Sequence, residues 1–126
     1  MAKVRGIRGA TTADTNTRDA ILAAATELLQ ELVRANQVSP DDVATLIFTT
    51  TPDLNAEFPA QAARRMGWDD VPLLGASEMA VPDGPPRCIR ILMLVNTEKG
   101  QKEVTHVYLR GARNLRSRGT EDAPRS

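Results

Sequence analysis

Arg90 lies in the middle of the most apolar stretch of the sequence, Cys-Ile-Arg-Ile-Leu-Met-Leu-Val-Asn from 88 to 96. A buried guanidinium with no anionic partner is very costly, so such a strand must bring Arg90 to a carboxylate or to an anionic ligand. Two readings stand side by side: a structural ion pair with a carboxylate such as Glu78, and an anion-binding site. Glu78 has neutral neighbours, Ser77 and Met79, and by itself also fits an ordinary surface carboxylate. Arg8 sits among Gly6 and Gly9 and points either to solvent or into a cleft; the local pattern alone favours a solvated edge arginine. Tyr108, flanked by Val107 and Leu109, fits a core or rim tyrosine with its hydroxyl satisfied. The run Arg110, Arg113, Arg116 and Arg118 reads first as a solvated basic face, and also suits closure over an anion. Several fixed arginines without a paired acid–base signature suggest dianion binding more than proton transfer.

Other chemistries fit less well. Cys88 and His106 are the one conceivable nucleophile pair, but a cysteine inside an apolar strand is expected to be an inert core thiol. A lone histidine and a lone cysteine cannot form a zinc site without carboxylates or a second chain. Gly6 and Gly9 lack the spacing of either phosphate-loop fingerprint.

Alternation predicts a strand over residues 3 to 12, with Val4, Gly6 and Arg8 on one face and Arg5, Ile7 and Gly9 on the other. The glycines weaken it but permit a close backbone approach. A helix is expected from Thr17 to Ala35, capped by Asn16 and stopped at Asn36. Its apolar stripe is Ile21, Leu22, Ala25, Leu28, Leu29, Leu32 and Val33. Ser39-Pro40 opens a short helical turn, and Val43 to Thr50 is a second strand ended by Thr51-Pro52-Asp53. Phe58 to Met66 reads as a short helix ended at Gly67, and Val71 to Leu74 and Ser77 to Val81 as extended pieces. Residues 88 to 96 read as a strand buried on both faces, and Val104 to Leu109 as the last strand. The order predicts an α+β fold, a mixed sheet covered by helices. One long and one short helix cover such a sheet thinly, which favours an oligomer.

The length, 126 residues, suits one domain, expected over 1–118, followed by a polar, disordered tail over 119–126. Lys plus Arg and Asp plus Glu number 16 each, and the aromatics Phe48, Phe58, Trp68 and Tyr108 are dispersed, which argues against a nucleic-acid partner. No apolar run reaches the roughly 20 residues that span a bilayer. The single cysteine and the absence of a signal-peptide pattern give a cytoplasmic expectation.

Val4-Arg5-Gly6-Ile7-Arg8-Gly9-Ala10-Thr11-Thr12 resembles the opening of the pseudo-α/β-barrel chorismate mutases. So do Thr51-Pro52-Asp53-Leu54 with Phe58-Pro59-Ala60, the segment from Val71-Pro72 to Glu78-Met79, Cys88-Ile89-Arg90, and His106-Val107-Tyr108-Leu109, in the family's order and approximate spacing. The resemblance covers about residues 3 to 116. It implies a homotrimeric pseudo-α/β-barrel with active sites between subunits, rearranging chorismate to prephenate without cofactor, metal or covalent intermediate. It implies that Arg90 faces the ether oxygen and a carboxylate, and that Arg8 and Tyr108 hold carboxylate. Glu78 would accept the ring hydroxyl's hydrogen bond, the backbone from Leu74 through Gly75 and Ala76 to Ser77 would line the cleft, and Phe58 would pack on the substrate. Arg64 and Arg116 match basic positions near the cleft mouth, and Leu115 a lining position. The family often has cysteine where Gly75 stands and lysine where Gln61 stands, so a side-chain contact and a rim charge are missing. A Rid-type imine hydrolase and a non-catalytic trimeric sensor of an anionic metabolite are the alternatives.

Overall fold

The computed structural model describes residues 1–114. The expected tail over 119–126, and Leu115 and Arg116, lie outside the described residues. Strand β1 spans Lys3–Thr12, helix α1 Arg18–Asn36, β2 Val43–Thr50, helix α2 Gln61–Arg65, β3 Leu73–Ser77, β4 Cys88–Thr97 and β5 Val107–Tyr108. Single 3-10 turns at Pro40–Asp42 and Arg110–Ala112 complete the described chain. The strands form one sheet in the order β3-β2-β4-β1-β5. β4 is antiparallel to both β1 and β2, while β3 and β5 join the edges in parallel. The expected mixed sheet is what forms.

Helix α1 covers one face. Its Leu28, Leu29 and Leu32 are fully buried against Ile7, Leu46, Phe48, Ile91 and Met93. Each fully buried side chain of this size stabilises the fold by about 1.5–3 kcal/mol. The helix begins one residue later than expected because Thr17, not Asn16, is the cap: its hydroxyl accepts the Ala20 N–H at 3.2 Å. It ends on Gln37, whose left-handed φ of 51° breaks the spiral, while Asn36 stays in the last turn, buried.

Gly9 is the point of closest approach between β1 and α1. A Cβ built there would stand 2.9 Å from Leu32 Cδ1 and 3.0 Å from Leu28 Cδ1. Gly9→Ala is therefore expected to lower stability by about 1–3 kcal/mol, read as a lower urea midpoint at unchanged slope. An unchanged midpoint would show that the two leucines yield freely.

Four expectations change. α2 is shorter than predicted because residues 58–60 form turns closed by i to i+3 bonds: Gln61 N–H to Phe58 O, Ala62 to Pro59 and Ala63 to Ala60. It ends at Arg65, one residue short of the predicted Met66, and the turn is completed at Gly67, which adopts a φ of 84°. Of the two extended pieces predicted, 71–74 and 77–81, a single strand β3 forms over Leu73–Ser77, and 78–81 are not strand. β5 is two residues long, because Thr105 is drawn to Asn36. β4 is not buried on both faces: Ile89, Ile91, Met93 and Val95 are buried under α1, whereas Leu92 on the other face is 36% exposed. Apolar residues on both faces made β4 look central to a doubly covered sheet, but within one chain α1 covers only one side.

Candidate active site

Residues opposite each other on paired strands point to the same face, so the register defines what the uncovered face displays. Thr49 faces Ala76 on β3 and Arg90 on β4; Arg90 faces Ala10 on β1; Ala10 faces Tyr108 on β5. One row across the whole sheet is thus Ala76, Thr49, Arg90, Ala10, Tyr108. The next row carries Leu74, Ile47, Leu92 and Arg8. With strands about 4.8 Å apart, Arg90 and Tyr108 stand two strands, roughly 10 Å, from each other. Ala10 between them is fully buried, packed with Cys88 and Ala112 and against Tyr108.

Glu78 follows β3. Its N–H continues the parallel ladder by donating to the Thr50 carbonyl at 2.8 Å. Its Oε2 lies 3.3 Å from Arg90 Nε, and both side chains are about four-fifths buried. The Thr49 hydroxyl donates to the same Oε2. Glu78 and Arg90 form the inner wall of a cleft of about 620 Å³, lined on the other side by the loop over residues 79–86. The cleft's rim is braced by Asp53, which accepts from the Thr51 hydroxyl and from the Arg87 N–H at 2.9 Å. Partial desolvation alone would raise the Asp53 pKa. Its hydrogen bonds from Thr51 and the backbone, with the Arg87 charge, outweigh that and hold the carboxyl below the usual range.

Phe58 occupies a different place. Together with Gly75, Ala76 and Ser77 it lines a groove of about 510 Å³ at the β3 edge. Its side chain is 73% exposed. The loop beneath it is pinned: Asn16 Oδ1 accepts the N–H groups of Asn55 and Ala56 at 3.0 and 3.1 Å, and Glu57 accepts the Phe58 N–H at 2.8 Å. Arg18 pairs with Glu57 at 2.9 Å. The hydrogen bond from Arg18, then that from Phe58, holds the Glu57 carboxyl below its ordinary pKa. Arg64 lines an adjoining groove with Phe58 and Gly75, its Nη1 donating to the Trp68 and Asp69 carbonyls at 2.9 and 3.0 Å.

The chain matches the family model described as chorismate mutase type I over residues 4–118. It is 51% identical to the chorismate mutase AroH of Thermus thermophilus over 114 residues, covering 90% of this chain and 93% of that protein. This chain belongs to the chorismate mutase type I family. It is also 43% identical to the chorismate mutase AroH of Bacillus subtilis over 107 residues, 84% of each chain. The solved chorismate mutase from Clostridium thermocellum superposes with a TM-score of 0.84 at 48% identity, covering 85% of this chain and 96% of that one.

The expected site residues of this mutase chain fall into two groups. Arg90 and Glu78 meet in the cleft wall, while Arg8 and Tyr108 share the uncovered sheet face but do not line that cleft. Phe58, Arg64, Gly75 and Ser77 gather at the β3 edge, with Leu74 and Ala76 turned to the uncovered face between them. Cys88 is a buried thiol against Ala10, Ala112 and Tyr108, as expected of an inert core cysteine. Among the described residues no three or more His, Cys, Asp or Glu side chains are placed to hold a metal ion, and no helix is long and apolar enough to cross a membrane.

Thr49 escaped the sequence reading. The only signal was its alternation with Ile47 on β2; that it meets Glu78 depends on β3 lying beside β2. Thr49→Val removes the hydroxyl at nearly constant volume and is expected to lower kcat/KM about tenfold, with Thr49→Ser close to wild type. Wild-type kcat/KM in Thr49→Val would mean that Glu78 needs no such support.

Proposed function

We propose that this chain rearranges chorismate to prephenate in clefts between neighbouring subunits of a homotrimer. The observation that carries the reading is the Arg90–Glu78 pair in the cleft wall, in one row with Tyr108 and beside Arg8. The reaction breaks a C–O bond and makes a C–C bond in one step, so no nucleophile or general base is required. Two contributions remain for the protein. Arg8 and Tyr108 hold a carboxylate, Glu78 accepts from the ring hydroxyl, and Phe58 packs on the ring, together keeping the substrate compact. Arg90 answers the negative charge that grows on the ether oxygen, and so binds the transition state better than the ground state.

The division of the site supports a neighbouring subunit, and the family resemblance makes the assembly a trimer. Phe58, Arg64, Gly75 and Ser77 face away from the Arg90 wall of their own chain, and Phe58 is too exposed to hold a substrate alone. A neighbour that supplies one group to the other completes the cleft and covers Leu92 and Leu74. The catalytic unit is read as one domain, residues 1–118, and the enzyme as cytoplasmic, where Cys88 stays reduced.

The test is chorismate consumption by the purified protein, followed by ultraviolet absorbance, with prephenate identified as product and the assembly weighed by sedimentation. Saturable turnover by a trimer supports the reading. A folded trimer that binds chorismate without turnover would make it a sensor; turnover of imine acids alone would make it a hydrolase of the Rid type.

A further inference from the structure

We propose that His106 is a positioning residue for substrate capture, its ring nitrogen Nδ1 fixing the backbone from which the Arg8 side chain leaves the sheet. The Arg8 N–H donates to His106 Nδ1 at 3.0 Å. This bond stands where a backbone bond belongs. β1 and β5 pair in parallel, Gly9 opposite Val107 and Ala10 opposite Tyr108, and the Leu109 N–H donates to the Ala10 carbonyl at 2.9 Å. Continued one step towards the N-terminus, that alternation sends the Arg8 N–H to the Thr105 carbonyl. Thr105 is engaged elsewhere. Its carbonyl accepts from Asn36 Nδ2 at 2.9 Å, and its N–H donates to Asn36 Oδ1 at 2.7 Å. Asn36 is 4% exposed, and its amide also donates to the Leu32 carbonyl, so Thr105 is tied to the last turn of α1. The imidazole supplies the acceptor that the ladder has lost.

A nitrogen that accepts carries no proton, so the neutral ring must hold its proton on Nε2. Without this acceptor a half-buried N–H loses its partner, and the β1–β5 edge that presents both Arg8 and Tyr108 loosens. The inference rests on the reading of Arg8 as a carboxylate ligand. Its effect therefore belongs in substrate affinity and not in the bond-breaking step.

His106 is the one histidine of the sequence, so nitrogen-15 NMR of the full chain labelled in histidine reads this ring alone. At neutral pH the expected spectrum shows Nδ1 without a proton and Nε2 with one. His106→Asn, whose side-chain oxygen falls close to the position of Nδ1, is expected to keep KM for chorismate within about twofold. His106→Leu should raise KM about tenfold while kcat stays within about threefold. A proton on Nδ1, or equal KM values for the Asn and Leu variants, overturns the inference. Arg8→Ala separates it from the reading beneath it: unchanged KM in that variant overturns the role of Arg8 in capture and the link to His106 with it. Should His106→Leu not fold, the wild-type spectrum and the Asn variant still decide.

Discussion

Arg90→Ala is expected to lower kcat by about 10²–10³, the effect of removing one preorganised donor to a developing oxyanion, about 3–4 kcal/mol. Arg90→Lys should also be severely impaired. It keeps the charge but loses the planar fork, and a flexible ammonium would have to serve both Glu78 and the ether oxygen. The fold should survive both changes. Arg90 sits on the uncovered face, so the core packed by Ile89, Ile91 and Met93 under α1 stays intact. Circular dichroism and sedimentation establish that control; single-turnover kinetics then read the loss. A folded Arg90→Ala assembly with near wild-type kcat would remove the transition-state role and leave the arginine as the structural partner of Glu78.

Leu92→Glu is expected to dissociate the assembly and to abolish most turnover with it. Leu92 lies on β4 one row from Arg90, opposite Arg8 on β1 and Ile47 on β2. Within one chain it is 36% exposed, so a carboxylate there can stay hydrated and the protomer should fold. Covered by neighbours, the same carboxylate would be desolvated without a partner, at an effective cost on the order of several kcal/mol per copy. If each cleft takes Phe58 and Arg64 from a neighbour, as proposed, sedimentation should shift from trimer to monomer and specific activity should fall about a hundredfold or more. A trimeric, active Leu92→Glu protein would show that this face is not where the subunits meet.

The two variants separate the parts of the proposal. Arg90→Ala removes chemistry from an intact assembly, whereas Leu92→Glu removes the assembly from intact protomers. His106 addresses a third part, the geometry with which Arg8 meets its carboxylate.

Much of this fold was legible in the sequence. The limits of β1 and β2 follow from alternation and β-branched composition, and the buried stripe of α1 follows from helical spacing. These patterns are local, and each element expresses them alone. Arg90 could be singled out for the same reason: a charge in an apolar strand is a local contradiction that must be resolved by something outside the strand. Val4-Arg5-Gly6-Ile7-Arg8-Gly9 and the later blocks, kept in order, carried the family resemblance that the matches bear out.

What the sequence left open are the facts that depend on which strands become neighbours. Alternation shows that Arg90 and Leu92 share a face, but not that α1 covers the opposite one. It could not place Thr49 against Glu78, because that contact needs β3 parallel to β2 in one register, and a shift by one residue would turn every partner to the other side. Asn36 reads locally as a helix stop, yet in the structure its buried amide pulls Thr105 out of the β1–β5 ladder. Sequence alone determined β1, α1, β2 and β4 and marked Arg90 as their anomaly. Strand order and register decided which groups stand beside it, because a side chain's partners are set by the backbones on either side of its own.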